Sequence, residues 1–250
     1  MNSNNATSQG RRSSGGIGEF VKTLVYAGLI AVGVRTVAFE AFNIPSSSMV
    51  PSLLVGDYLF VSKFSYGYSR YSLPFSMPLI PGPDRLFGSV PNRGDVVVFN
   101  NPRDGGKDYI KRVIGLPGDR IQVRAGRLYI NGTMVDRRPV TDAAVRPGSP
   151  TEYVETLPGG FSHRIWEFSD SGPLDNTEEF NVPPAHLFMM GDNRDNSSDS
   201  RVPSSVGYVP LENVIGRARI LFFSTDGTSG LMPWTWLTAI RYDRLLHIIK

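Results

Sequence analysis

Ser46, Ser47 and Ser48 stand in a row between Pro45 and Met49. A hydroxyl is inert as a nucleophile unless a neighbouring group takes its proton. Histidine is the usual acceptor, but the chain has only 3, His163, His186 and His247, and none has a recognisable catalytic setting. Lys111 is the remaining candidate base. It lies inside Tyr109-Ile110-Lys111-Arg112-Val113-Ile114, where lost hydration can lower a lysine pKa by as much as about 3 to 5 units, into the range where it accepts a proton near neutrality. Two plainer readings compete: a serine-rich linker, and a lysine on an edge strand pointing into water. A third cluster, Gly191-Asp192-Asn193-Arg194-Asp195-Asn196-Ser197-Ser198-Asp199-Ser200-Arg201, follows the apolar run Leu187-Phe188-Met189-Met190. A strand ending there delivers hydroxyls and carboxylates to one place, where they can orient a base. Read as an EF-hand calcium loop it fails, with Arg194 at the third position from Asp192 and neither Gly at six nor Glu at twelve from Asp195.

Composition narrows the chemistry. With Cys 0 the chain has no disulfide, no thiolate nucleophile and no cysteine-ligated zinc. Its three histidines form no ligand-spaced pair, so a metal site built on histidine is not expected. The net charge is +3 with acids and bases nearly balanced and no Lys/Arg run, so nothing calls for nucleic acid. At 250 residues and 40% hydrophobic, the chain is a folded globular protein.

The elements that must hold these residues begin with an apolar segment. Residues 1 to 18 are polar, carry Arg11 and Arg12 without an acid, and read as a disordered tail. From Thr23 to Val34 there is no charge, and apolar residues fall on all sides rather than on one stripe, which favours lipid over a protein core. A cleaved secretory signal is the competing reading, but its exit would run into Arg35, Val37, Phe39 and Phe42. We read residues 19–42 as a transmembrane anchor, with Lys22 and Arg35 reaching toward opposite interfaces. The basic tail then stays in the cytoplasm, and Ser48 lies within roughly 20 Å of the end of the anchor, on the outer side.

Beyond the serines the pattern turns to short β-rich runs: Tyr58-Leu59-Phe60-Val61, Val96-Val97-Val98-Phe99, Asp108 to Ile114 and Ile220-Leu221-Phe222-Phe223. Ile121 to Val135 reads as consecutive hairpins, with Asn131-Gly132 suited to a type I′ turn. Residues 65–93 form a long Pro-, Gly- and aromatic-rich excursion, and 136–185 are the least regular, with one expected strand at Arg164–Phe168. The fold class is mostly β. Residues 43–119 and 187–225 make a catalytic β domain, 120–186 an inserted second lobe, and 226–250 a C-terminal segment. Trp234, Trp236, Arg241 and Arg244 suit that last segment to a lipid interface, with packing on the barrel the alternative.

Three stretches together resemble the bacterial type I signal peptidases, membrane-anchored serine proteases with a Ser-Lys dyad. They are Ile44-Pro45-Ser46-Ser47-Ser48-Met49-Val50-Pro51-Ser52-Leu53 with Gly56-Asp57, then Arg93 to Phe99 with Asp108 to Asp119, then Gly191 to Arg201. The resemblance implies a signal-peptidase-like β-barrel or sandwich with an inserted lobe behind one transmembrane helix. It makes Ser48 the nucleophile and Lys111 the general base. Ser46 and the Ser48 N–H would bind the oxyanion, Ser197 would hydrogen-bond the Lys111 ammonium, Asp199, Arg201 and Asp192 would buttress the site, and Tyr109 would line the pocket wall. Ser47 stands where the family often has glycine. The implied reaction needs no metal or cofactor. It removes signal peptides from exported preproteins, after small residues at −1 and −3, at the outer face of the bacterial cytoplasmic membrane. Two other classes fit parts of the pattern. A tethered β domain without activity leaves the three ordered matches unexplained, and a self-cleaving Ser-Lys repressor protease would have a DNA-binding domain where this chain has an apolar segment.

Overall fold

The computed structural model describes residues 16–73, 80, 85–140, 148–226 and 236–249. Residues 1–15 of the expected 1–18 tail, part of the 65–93 excursion (74–79 and 81–84) and the Trp234 stretch lie outside the described residues, while Gly16, Ile17 and Gly18, expected in the tail, already belong to a helix. Helix α1 (Gly16–Val37) has 22 residues, roughly 33 Å at 1.5 Å per residue, which matches a bilayer's hydrocarbon core. Phe20, Leu24, Val25, Leu29 and Ile30 on it are all exposed.

The helix stops before the expected end of the anchor. Residues Phe39–Asn43 form strand β1 instead, paired antiparallel with β2 (Asp57–Ser62). Glu40 supplies the reason: a carboxylate is costly within a membrane span, whereas in β1 it meets the buried Lys63 Nζ at 2.9 Å.

The next strands are β3 (Val96–Asn100), β4 (Asp108–Gly115), β5 (Arg120–Arg124), β6 (Arg127–Ile130), β7 (Thr133–Met134), β8 (Asp136–Pro139), β9 (Thr151–Thr156), β10 (Ser162–Glu167) and β11 (Phe180–Asn181). Strands β12 (His186–Met190), β13 (Val209–Pro210), β14 (Val214–Ser224) and β15 (His247–Ile248) complete the described set. The main sheet runs β1-β2-β14-β3-β4-β12-β13, with β15 added to β14. Its middle strands read as continuous apolar runs because both faces are covered. Val96 and Val98 join a layer with Ile44, Met49, Leu53 and Leu59, while Val97, Phe99 and Val113 join another with Leu187, Met189 and Val206. Lys111 therefore lies on an interior strand, opposite Val97, and is not an edge lysine.

Two smaller sheets make up 120–186. The order β11-β5-β6-β7 contains both expected hairpins, with Ala125-Gly126 and Asn131-Gly132 at positive φ in their turns. Its core of Ile121, Val123, Leu128 and Ile130 is continuous with Ile114, Phe188 and Met190 of the main sheet. The other sheet, β10-β9-β8, has three strands where the sequence pattern suggested one. Asp136–Pro139 and Thr151–Thr156 carry no apolar alternation. Their pairing draws on contacts such as Arg137 over the Tyr153 ring, 4.2 Å from its centroid.

The C-terminal stretch forms no long interfacial helix among the described residues. Its helical part is four residues, Trp236–Ala239; Thr225 then bridges Ile240, β15 pairs with β14, and Ile249 enters the core. Arg241 and Arg244 do not stand free for lipid. They converge on the buried Asp57, at 3.6 Å and 2.5 Å.

Candidate active site

The serine stretch is a loop between β1 and β2, pinned by apolar pegs. Ile44, Met49 and Leu53 are 2%, 1% and 1% exposed. The Ile44 N–H donates to the Asp57 carbonyl at 2.8 Å, and the Leu54 N–H donates to Asp57 Oδ2 at 2.8 Å. Three donors from the 191–201 loop hold the serines from the other side. The Asn193 N–H and Nδ2 donate to the carbonyls of Ser48 and Ser47 at 3.1 Å each, and Asn196 Nδ2 donates to Ser47 Oγ at 3.0 Å. Ser48 is buried by this clamp, whereas Ser46 is exposed, its Oγ 3.4 Å from Ser48 Oγ.

Lys111 reaches the same hydroxyl from β4. Its Nζ lies 2.6 Å from Ser48 Oγ and donates to the Ile110 carbonyl at 3.1 Å. Burial lowers the Lys111 pKa from 10.5 to about 8; Asp199 and Asp192 pull it back up and Arg201 pushes it further down. A lysine so placed is substantially neutral just above neutrality and can take a proton from the hydroxyl it touches. The Tyr109 ring stands 5.7 Å from Nζ, and its hydroxyl donates to Asp104 Oδ2 at 3.0 Å.

Consecutive residues of a strand face opposite ways, and Arg112 uses the far face of β4. Its Nε and Nη2 grip Asp192 at 2.8 and 2.7 Å, Nη1 donates to the Gly94 carbonyl at 2.6 Å, and Nη2 donates to Ser52 Oγ at 3.2 Å. The serine loop is thus fastened to both faces of one strand, through Ser48 and through Ser52. Asp192 is buried, and although burial alone would raise its pKa, Arg112 holds it below the usual carboxylate range. Asp199 is likewise held down by Arg201 against the effect of burial, and Asp199 Oδ2 accepts the Gly191 N–H at 3.0 Å. Ser197 is buried in the same cluster beside Asp199, whose pKa its hydroxyl helps to lower; no hydrogen bond from Lys111 Nζ to Ser197 forms among the described residues. Its neighbour there is Gly191, whose absent side chain leaves room for it.

Sequence reasoning passed over Arg112, Gly191, Asn193 and Asn196. The signal for Arg112 was its place in an apolar strand, where an arginine implies a buried partner. For Gly191 it was a glycine directly after an apolar run, a sign of close backbone approach.

A cleft of about 450 Å³ opens over the pair. Phe42, Ile44, Val98, Tyr109 and Ile110 make its apolar wall, with Ser48 and Lys111 inside it. The arrangement suits acyl transfer to a hydroxyl on an extended apolar segment.

The chain matches the family described as "Signal peptidase, peptidase S26" over residues 17–223. It is 40% identical over 237 residues to signal peptidase I of Rickettsia conorii (strain Malish 7), covering 87% of this chain and 88% of that one. It is 39% identical over 245 residues to signal peptidase I of Rickettsia canadensis (strain McKiel), covering 90% and 91%. Among solved structures it is similar to a signal peptidase I of Enterococcus faecalis V583, at 29% identity and TM-score 0.32, over 52% of this chain and 97% of that one.

Proposed function

Since the chain belongs to the signal peptidase family S26, a family of serine endopeptidases that remove signal peptides, we propose that Ser48 and Lys111 carry that reaction in it. The observation that supports the dyad is the 2.6 Å contact between Lys111 Nζ and Ser48 Oγ. Neutral Lys111 takes the hydroxyl proton as Ser48 Oγ adds to the scissile carbonyl. The ammonium then returns the proton to the leaving amine, and neutral Lys111 takes one from the water that hydrolyses the ester. The oxyanion is held by the Ser48 N–H, which donates to no acceptor among the described residues, and by the exposed Ser46 hydroxyl after a small rotation. Each such donor contributes about 3 to 4 kcal/mol in other serine proteases. Asp192, Asp199 and Arg201 fix the 191–201 loop that clamps the serines, Ser197 fills the space beside Gly191, and Tyr109 forms the wall against which the substrate lies. The apolar wall of the cleft is consistent with the family's preference for small, uncharged residues at −1 and −3.

The anchoring is part of the same reading. Helix α1 crosses the bacterial cytoplasmic membrane with Arg11 and Arg12 inside, and the β domain sits on the outer side with preproteins and membrane lipid as its partners. The length and exposure of α1 support this, as do the exposed rings of Phe39, Phe60 and Phe64 just past it. Detergent-solubilised full-length protein, incubated with an exported preprotein and followed by N-terminal sequencing of the product, provides the test. A cut directly after the small residue is expected; intact preprotein, or a cut elsewhere, would sink the reading.

A further inference from the structure

A second buried cluster lies apart from the dyad, where the loop between β10 and β11 meets the 191–201 loop. Glu167, Asp175 and Asp195 each bring one carboxylate oxygen to within 4.8 Å of the others. Glu167 is 3% exposed and Asp175 0%. Glu167 Oε2, Asp175 Oδ1 and Asp195 Oδ1 are all buried without a hydrogen-bond partner. The other oxygens of the two aspartates are already used: Asp195 Oδ2 accepts the N–H groups of Phe168 and Ser169, and Asp175 Oδ2 accepts that of Gly172. Backbone donors thus fix both aspartates while leaving one oxygen of each bare.

Bare carboxylate oxygens buried together are unfavourable unless a positive charge sits among them. Among the described residues, Arg137 alone of the nearby guanidinium groups forms an ion pair with one of the three acids, Glu167 at 3.7 Å, and it is shared with Asp170. Arg194 is paired with Glu155, and Arg201 with Asp199. No protein donor among the described residues completes the cluster. A hard divalent cation would, since calcium takes oxygen ligands at about 2.3 to 2.6 Å, and two ligands on opposite sides of it stand about 4.8 Å apart.

We propose that Glu167, Asp175 and Asp195 together bind a calcium-like hard divalent cation that ties the β10–β11 loop to the loop carrying Asn196 and Ser197. The site is assembled from residues distant in sequence and is unrelated to an EF-hand loop. It lies outside the dyad, and because Asn196 bonds Ser47, the ion would stiffen the clamp on the serines from behind.

Full-length protein in detergent, stripped with EGTA and titrated with calcium chloride by calorimetry and by thermal unfolding, tests this. One ion per chain and a Tm rise of about 3 to 8 °C at millimolar calcium are expected. Asp175→Asn should weaken binding at least about tenfold, the loss of one anionic ligand, while Glu178→Gln should not change it. No heat and no Tm shift for the wild type up to 10-fold higher calcium overturns the proposal whether or not the variant folds. So does a wild type that responds to pH alone and is stabilised equally by Glu167→Gln with and without calcium, which would mean that the three acids share protons instead.

Discussion

The carbonyl oxygen of Ser48 occupies the space that a side chain on residue 191 would fill. A Cβ at Gly191 would lie 2.5 Å from that oxygen and 2.2 Å from Ser197 Oγ. Both distances are well inside van der Waals contact, and the first obstacle is backbone, which cannot swing away. Gly191→Ala should therefore push the nucleophile loop off Lys111. Displacements of about 1 Å in a reacting pair cost on the order of 100-fold, so we expect kcat to fall by about that factor while the protein stays folded. A Gly191→Ala enzyme with unchanged kcat would show that the loop yields without moving Ser48.

Activity should follow the ionisation of Lys111. The base is its neutral form, and burial places its pKa at about 8. Below that value kcat/KM should rise about tenfold per pH unit, and it should level off above it. A profile still climbing steeply toward pH 10, with the enzyme intact, would mean an ordinary lysine and would contradict the assigned base.

The pair Arg112–Asp192 is a structural prediction as much as a functional one. Both side chains are 1% exposed, so Asp192→Asn leaves a guanidinium buried without its counter-charge. Removing one partner of a buried pair costs about 3 to 5 kcal/mol, and at this size that lowers Tm by about 8 to 15 °C. The double variant Arg112→Met with Asp192→Leu should be less damaging to Tm than Asp192→Asn alone, although the loop clamp and activity suffer in both. Thermal unfolding in detergent separates the cases.

His163 should set acid stability between the lysine and carboxylate ranges. Burial first, then Arg112, lowers its pKa from 6.5 to about 4, and neither ring nitrogen has a hydrogen-bond partner among the described residues. Between those values the unfolded chain binds a proton that the folded chain refuses, so stability falls as pH drops from 6.5 toward 4, by about 3 kcal/mol in all. His163→Gln should flatten that slope. If Tm against pH is equally steep in the variant, the groups responsible lie elsewhere.

Much of this site was legible because its chemistry is local in sequence. The serine loop, the lysine in its apolar strand and the Ser/Asp-rich loop are each contiguous, and their order along the chain carried the resemblance. The interior position of Lys111 needed β12, from 75 or more residues later, to close the sheet over its strand. The partner of Arg112 was not readable, since nothing local links it to Asp192, 80 residues away. Ser197 lies in the expected cluster, but its neighbours there, Asp199 and Gly191, are set by the packing of the loop rather than by any local pattern. The end of the anchor was misread because Phe39 and Phe42 are apolar enough for lipid, and only Lys63 opposite Glu40 shows why the chain turns into a strand there. Strands β8 and β9 were missed because polar residues pair them without any period-2 signal.

The most direct test compares preprotein cleavage by full-length wild type, Ser48→Ala and Lys111→Met in detergent at pH 8.5, with each variant shown to unfold at a temperature near that of the wild type. The dyad predicts repeated turnover with the wild type and a loss of at least about 1,000-fold in both variants, the scale seen when a nucleophile or its base is removed. Retained cleavage by Ser48→Ala, or by Lys111→Met, would contradict it and move the nucleophile or the base to another residue.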